Sequence, residues 1–159
     1  MKECKLSENN WTKVAVFAGG DRGHYRIDFD CFVGVDRGSL WVLEEKLPLT
    51  IAVGDFDSVT VEEGQLIQER AQHFVQAQPE KDDTDLELAL LTIFEKNPQA
   101  QVTIFGALGG RIDHMLANVF LPSNPKLAPY LRQIEIEDGQ NLISYCPEGT
   151  SQLEPRSDY

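Results

Sequence analysis

The fold class is decided by the stretch LTIAVGDFDS, which runs from Leu49 to Ser58. Its first half is a nearly continuous apolar run, and its second half is a polar turn with two aspartates. A continuous run, rather than an alternating one, is typical of a strand buried on both faces of a parallel sheet. Similar runs predict four more strands, at residues 14–18, 31–35, 73–77 (the weakest) and 101–105.

Helical patterns lie between these strands, at residues 39–45, 61–72, 84–96 and 111–121. In the third helix, Thr84 and Glu87 have the spacing of a capping box. The third and fourth helices each carry an apolar stripe that predicts a buried face. In the fourth helix this stripe consists of Ile112, Met115, Leu116, Val119 and Phe120. The alternation of strands and helices predicts an α/β fold, a three-layer α/β/α arrangement with a mainly parallel, Rossmann-like sheet.

The hydrophobic period changes to two beyond residue 130. Residues 133–137 and 140–145 flank Asp138-Gly139, which is a strong short-range signal for a β-hairpin. A hairpin is only marginally stable by itself, so we expect it to open a further β-rich unit. We therefore predict an α/β catalytic domain over residues 1–130 and the start of a β-rich C-terminal domain over residues 131–159.

The composition excludes several classes of protein. Apolar residues make up 42% and charged residues 25%, which is ordinary globular usage. The formal net charge of −12 disfavours nucleic acids and anionic membranes as partners. No apolar run approaches the roughly 20 residues that span a bilayer, and residues 1–13 lack the apolar core of a signal peptide. We expect a cytoplasmic protein in which Cys4, Cys31 and Cys146 are free thiols.

Carboxylates gather in two of the predicted loops. Asp55 and Asp57 face the same way in extended backbone, so both can approach one cation, although they can also cap the following helix. The segment Lys81-Asp82-Asp83-Thr84-Asp85 opens a helix, where the macrodipole accounts for one acid but not for three. Lys81 fits equally well as a local counterion or as a phosphate contact. An acidic protein that binds a phosphate needs a divalent cation to bridge the like charges.

Glycines follow the first and fifth predicted strands. Residues 106–111 (GALGGR) lead into a helix, where backbone N–H groups can face an anion, and Gly19-Gly20 could form a second phosphate loop. Neither run is a dinucleotide fingerprint or a Walker loop. Asp36, after the second strand, could accept a hydrogen bond from a ribose or a substrate. In the fourth helix, Asp113 lies at the edge of the apolar stripe and is either a structural acid or a site residue.

Four segments, which follow one another along the chain, resemble motifs of the thiamine pyrophosphokinase family. They are residues 16–20, 54–58, 81–85 with Leu88-Ala89-Leu90, and 109–114 with Ala117-Asn118. The resemblance extends from about Val14 to Tyr145. It implies transfer of a pyrophosphoryl group from ATP to the hydroxyl of thiamine, giving thiamine diphosphate and AMP.

The resemblance also implies roles for individual residues. It implies Mg²⁺ bound by Asp55, Asp57 and Asp85, and nucleotide contacts from Gly19, Gly20, Asp36, Lys81, Thr84, Arg111 and Asn118. Asp57, Asp85, Arg111 and Asp113 are the implied catalytic residues, with one aspartate as the base that deprotonates the substrate hydroxyl. The family's enzymes are homodimers whose active site is shared with a C-terminal β-sandwich. Most of that sandwich, including the aromatic residue that covers thiamine, has no counterpart in these 159 residues.

Two other functions compete with this interpretation. The segment Asp55-Phe56-Asp57-Ser58-Val59 fits the motif of haloacid dehalogenase phosphatases, with Asp55 as nucleophile and Asp57 as acid. However, that family carries the motif on its first strand and follows it with an acidic loop that is not found here. The other alternative is an inactive module that binds a nucleotide or thiamine. AMP formed from ATP, Mg²⁺ and thiamine discriminates among the three.

Overall fold

Seven strands form one sheet in the computed structural model, which describes residues 11–21 and 23–156. The strands are β1 (Lys13–Phe17), β2 (Cys31–Val35), β3 (Ile51–Gly54), β4 (His73–Gln76), β5 (Gln101–Phe105), β6 (Ile134–Glu137) and β7 (Leu142–Ser144). The helices are α1 (Gly38–Glu44), α2 (Val61–Arg70), α3 (Asp85–Lys96) and α4 (Ile112–Val119). Two 3₁₀-helices, Leu121–Ser123 and Pro125–Gln133, connect α4 to β6. The predicted strands and helices are confirmed, with ends shifted by no more than about two residues.

The strand order is β4-β3-β2-β1-β5-β6-β7, and all neighbours are parallel except β6 and β7. The chain moves outward from β1 in one direction through β2, β3 and β4, and then returns to add β5 on the other side of β1. The point between β1 and β5 is therefore a topological switch point, where open α/β sheets bind ligands beyond the carboxyl ends of their strands. This arrangement confirms the predicted α/β fold with a mainly parallel sheet.

Helices cover both faces of the sheet because successive side chains of each strand point to opposite faces. Val14 and Val16 of β1 lie in the core beneath α3, whereas Ala15 and Phe17 lie in the core beneath α1 and α2. The second 3₁₀-helix joins α3 on its face, where the ring of Tyr130 stacks on Phe94. The sheet is thus packed against a core on each face, and the loops that follow the strands begin at its carboxyl edge.

The predicted hairpin forms, and it continues the main sheet. β6 pairs in parallel with β5, and β7 pairs antiparallel with β6. Glu137 at the end of β6 is 5% exposed and accepts two hydrogen bonds from the guanidinium of Arg26, at 3.2 and 3.1 Å. This ion pair fastens the loop between β1 and β2 to the hairpin. The predicted division into domains at residue 130 stays a prediction.

The predicted burial of the α4 stripe is wrong. Ile112, Leu116 and Phe120 are 68%, 45% and 62% exposed, and no residue of α4 is buried. α4 contacts the short 3₁₀-helix that follows it rather than lying across the sheet. Among the described residues, no element covers its apolar row, which is exposed to solvent.

The two cysteines within the described residues are free thiols, Cys31 buried and Cys146 exposed, while Cys4 lies outside those residues. Burial raises the pKa of the Cys31 thiol to about 11, so this cysteine is protonated at neutral pH. None of the helices in the described ranges is long and apolar enough to span a membrane.

Candidate active site

Three carboxylates from different parts of the chain meet at the carboxyl edge of the sheet. Asp36 follows β2, Asp55 follows β3, and Asp85 is the first residue of α3. One oxygen from each lies within 4.8 Å of the other two. The neighbouring positions of β2 and β3 in the sheet bring the first two together, and the packing of α3 over these strands adds the third. We refer to Asp36, Asp55 and Asp85 as the carboxylate cluster.

Asp36 is held firmly within this cluster. Its backbone is left-handed, with φ 48°, and its N–H donates to the carbonyl of Val53 at 2.9 Å. Its Oδ1 accepts a hydrogen bond from the N–H of Phe56 at 3.0 Å. Gly54 leaves room for this carboxylate, because a Cβ at that position would lie 2.1 Å from Asp36 Oδ1.

The electrostatics of Asp36 favour a cation nearby. The pKa of Asp36 is raised to about 6, mainly by burial and also by the charges of Asp55 and Asp57, although the Phe56 hydrogen bond and the charge of Lys81 act in the opposite direction. The ionised form of Asp36 is therefore penalised when no other positive charge is added. Carboxylate oxygens are the ligands that Mg²⁺ prefers, and a divalent ion would offset this penalty. The residues present therefore fit a magnesium site.

The turn after β3 is fixed by contacts from two neighbouring segments, β4 and the residues before α1. Phe56 is left-handed, with φ 58°, and its ring stacks on Phe74 of β4. The Nε2 of Gln76 donates to the carbonyl of Asp55 at 3.0 Å. Arg37, which precedes α1, donates from Nη1 to the carbonyl of Ser58 at 3.0 Å. Asp55 therefore lies in a turn whose backbone is set by contacts with the rest of the sheet edge.

The acidic segment before α3 divides into separate roles. Asp85 pairs with Lys81 one turn away and joins the carboxylate cluster. Asp83 instead accepts from Lys126 at 2.8 Å and from Asn124 at 2.9 Å, and the lysine holds the pKa of Asp83 below its usual value. Asp83 therefore connects α3 to the second 3₁₀-helix and is a structural acid.

Thr84 has the predicted capping role. Its hydroxyl oxygen accepts from the N–H of Glu87 at 3.2 Å, and the Glu87 carboxylate accepts from the N–H of Thr84 at 2.7 Å. This reciprocal pair fixes the first turn of α3 and with it the backbone of Asp85.

Two glycine-containing loops meet at the switch point between β1 and β5. The N–H of Gly20 donates to the carbonyl of Gly106 at 3.1 Å. Gly106, Gly109 and Gly110 have φ values of 72°, 86° and 68°. A residue with a Cβ adopts such values only with strain. The loop after β5 therefore requires these glycines for its shape, and it lies against Gly20 of the loop after β1.

The loop after β5 is anchored to α4. The side-chain amide of Asn118 donates to the carbonyl of Ala107 at 2.9 Å. Arg111 and Asp113 form an exposed two-point ion pair, with N–O distances of 3.1 and 2.6 Å. This pairing lowers the pKa of Asp113, so its carboxylate is ionised at neutral pH.

The structure thus brings together some predicted site residues and separates others. Asp36, predicted as a nucleotide contact, lies with the predicted metal ligands Asp55 and Asp85. Asp57 follows in the same turn and donates its N–H to Asp55 Oδ1 at 3.2 Å, but it is not a member of the cluster. Proximity does not establish a role, so the metal, nucleotide and catalytic assignments of all the predicted site residues stay predictions. Gln76 and Phe74 were not predicted, because only the pairing of β4 with β3 places them beside Asp55.

Comparisons with known proteins now identify the family. Residues 23–129 match a family model described as the catalytic domain of thiamin pyrophosphokinase. The chain belongs to the thiamin pyrophosphokinase family. It is 36% identical, over 148 residues, to the thiamine pyrophosphokinase of Bacillus subtilis (strain 168), covering 89% of this chain and 67% of that protein.

Solved structures agree with this family. A thiamin pyrophosphokinase family protein from Enterococcus faecalis superposes with a TM-score of 0.82 at 48% identity, over 87% of this chain and 67% of that one. Thiamin pyrophosphokinase from Geobacillus thermodenitrificans gives a TM-score of 0.65 at 36% identity, over 82% and 61%. The chain therefore spans about two thirds of the length of these thiamin pyrophosphokinases.

Membership of this family confirms the sequence-based resemblance, and neither competing function is favoured. The aspartate motif lies after β3, the third strand, whereas haloacid dehalogenase phosphatases carry theirs on the first strand. The catalytic-domain match favours an enzyme of the thiamin pyrophosphokinase family over an inactive binding module.

Proposed function

We propose that this protein transfers the pyrophosphoryl group of ATP to the hydroxyl of thiamine. The oxygen of that hydroxyl attacks the β-phosphorus of ATP, the bond from this phosphorus to the α-phosphate oxygen breaks, and AMP leaves. The hydroxyl proton is released, and thiamine diphosphate is formed. The observation that carries the proposal is the carboxylate cluster, since its three oxygens lie within 4.8 Å of one another at the ligand-binding edge of the sheet.

The carboxylates are proposed to hold Mg²⁺. Asp55 and Asp85 are ligands together with Asp57, as the family resemblance implies, and Asp36 is added because it lies in the same cluster. A bound Mg²⁺ supplies charge neutralisation for the phosphate oxygens during transfer. The net charge of −12 also favours a bound cation, because ATP and the carboxylate cluster repel each other without one.

The nucleotide phosphates are proposed to lie along the switch point. Gly19 and Gly20 allow close backbone approach, and the planar guanidinium of Arg111 can bind two phosphate oxygens. Lys81, Thr84 and Asn118 are the remaining proposed contacts. Asn118 also shapes the loop through its bond to Ala107, so its contribution includes the position of the loop.

The proton of the substrate hydroxyl is proposed to pass to an aspartate. Asp57, Asp85 and Asp113 are the candidates in the catalytic set, and Asp113 is kept ionised by Arg111. An ionised carboxylate can accept this proton as general base.

We also propose that the protein forms a homodimer and is located in the cytoplasm. The exposed apolar row on α4 supports a subunit contact, and the two free cysteines among the described residues support a reducing compartment.

The test incubates the protein with ATP, Mg²⁺ and thiamine and measures AMP and thiamine diphosphate by chromatography. We expect the two products in equal amounts, and no AMP when thiamine is omitted. Asp85→Asn should lower turnover by roughly a hundredfold, the scale of losing one electrostatic stabiliser. Glu69→Gln, which removes the same charge from the last turn of α2, should leave turnover unchanged. Phosphate release without thiamine, or a covalent aspartyl phosphate, would contradict the proposal.

A further inference from the structure

We propose that Phe56 is a positioning residue, which holds the carboxylate of Asp55 in place for a divalent cation through its stack on Phe74. The inference rests on the proposed function, because it takes the carboxylate cluster as the cation site. It extends that function to a side chain that has no oxygen or nitrogen atom with which to coordinate a divalent cation or bind a phosphate. Phe56 lies directly between Asp55 and Asp57 in the turn after β3.

The backbone of Phe56 is the first observation. Its φ of 58° lies in the left-handed region, which is disfavoured for residues with a Cβ and favoured for glycine. The turn already has one glycine, Gly54, two residues before Phe56. An aromatic residue at a position that suits glycine indicates that its ring contributes a contact which offsets the backbone strain.

The second observation is the contact that the ring makes. The rings of Phe56 and Phe74 have centroids 5.0 Å apart and planes inclined by 18°, a stacked pair. Phe74 lies on the edge strand β4 and is paired with Ala52 of β3. Both rings pack against the apolar core beneath α1 and α2. The stack therefore fastens the turn to the strand beside it and to the core below.

The third observation is how the turn reaches the carboxylate cluster. The left-handed backbone of Phe56 directs its N–H to Asp36 Oδ1, at 3.0 Å. On the other side, Gln76 holds the carbonyl of Asp55 at 3.0 Å. The backbone of Asp55 is therefore fixed by two hydrogen bonds. One is donated by Gln76 to its carbonyl, and the other is donated by the N–H of the next residue, Phe56, to Asp36. Without the ring, the turn can relax to an ordinary φ, which breaks the Asp36 bond and displaces Asp55.

The experiment measures binding of Mn²⁺, a paramagnetic substitute for Mg²⁺, by electron paramagnetic resonance, with no ATP or thiamine present. Phe56→Ala should weaken Mn²⁺ binding by about tenfold, at the lower end of the effect of residues that orient metal ligands. Phe56→Gly should weaken it less than Phe56→Ala does, because glycine lacks the ring but adopts the φ of 58° without strain. Phe56→Tyr keeps the ring and should restore binding to the wild-type level.

Two variants separate positioning from a general loss of stability. Phe29→Ala removes a partly buried ring from the same apolar core, where it contacts Phe32 and Phe105 rather than the turn. It should lower the melting temperature without changing Mn²⁺ affinity. Phe74→Leu removes the stack while leaving Phe56 in place, and it should weaken Mn²⁺ binding even if Phe56→Ala fails to fold.

The possible failures are distinguishable. Wild-type Mn²⁺ affinity in folded Phe56→Ala and in Phe74→Leu would overturn the positioning role and leave the proposed function standing. Weakened Mn²⁺ binding in both variants, together with no AMP production by the wild-type protein, would support the positioning role and overturn the proposed function. No Mn²⁺ binding by the wild-type protein would overturn both the cation site and the inference.

Discussion

Gly19 and Gly20 are neighbours in the chain, but only one of them is required by its surroundings. A Cβ on Gly20 would lie 2.2 Å from the carbonyl oxygen of Gly106, which is a backbone atom that cannot rotate away. A Cβ on Gly19 would have its nearest neighbours at 3.7 Å, an ordinary van der Waals distance. The sequence suggests the same phosphate-loop role for both residues, so the difference between them comes from the loop after β5.

This difference predicts opposite outcomes for two matched substitutions. Gly20→Ala should force the loops after β1 and β5 apart and destabilise the protein by about 1–3 kcal/mol, the usual cost of an overpacked site. Gly19→Ala should change the free energy of unfolding by less than about 0.5 kcal/mol, as at a permissive surface position. Urea denaturation followed by circular dichroism measures both. Equal stability of the two variants would show that the two loops do not approach as closely as described.

At the scale of single elements, α2 and α3 begin in the same way. Thr60 with Glu63 and Thr84 with Glu87 each form a complete capping box. Each helix also has acidic residues in its first turn and one basic residue in its last turn, as the macrodipole favours. The two helices differ in their first residue, which is Val61 in α2 and the cluster carboxylate Asp85 in α3.

The paired caps predict equal effects on stability and different effects on binding. Thr60→Ala and Thr84→Ala should each cost about 1 kcal/mol of stability, the typical value for loss of a helix N-cap. Only Thr84→Ala should also weaken the binding of Mg²⁺–ATP, because the first turn of α3 carries Asp85. Thermal unfolding gives the first quantity and titration calorimetry the second. Similar Mg²⁺–ATP affinity in the two variants would argue against a role for the α3 cap at the site.

The element α4 demonstrates a limit of periodicity. Its apolar residues recur at helical spacing, and this spacing correctly predicted the helix. The same pattern was wrong about burial, since Ile112, Leu116 and Phe120 are exposed. A helical stripe shows which residues share a face, but the element that covers this face is decided by the path of the chain around the sheet.

At the scale of the whole molecule, charge constrains ligand binding. The net charge of −12 and the carboxylate cluster both repel a polyanion such as ATP. Close contact between the triphosphate and the sheet edge therefore requires compensating positive charge. The described residues include Lys81 and Arg111 near the predicted phosphate positions, but each is paired with an aspartate of its own.

We therefore expect ATP binding to depend on a divalent cation. Affinity measured by calorimetry should fall by at least about tenfold in EDTA, because bridging of like charges is lost. Addition of excess Mg²⁺ or Mn²⁺ should restore it. Sodium chloride at the same ionic strength should not, since it screens charges but cannot link phosphate oxygens to carboxylates. Tight binding of ATP in EDTA would contradict the proposed cation site.

The sequence by itself determined the strands, the helices, the capping box at Thr84 and the loops that carry the aspartates and glycines. These features depend on residues close together in the chain, whose hydrophobic period and turn chemistry can be read directly. Only the tertiary structure decided that Asp36 lies with Asp55 and Asp85, that β6 extends the sheet beside β5, and that α4 leaves its apolar row exposed. The physical reason is that strand order in a parallel sheet depends on how distant segments pack across long connections, and local periodicity is the same for any such order.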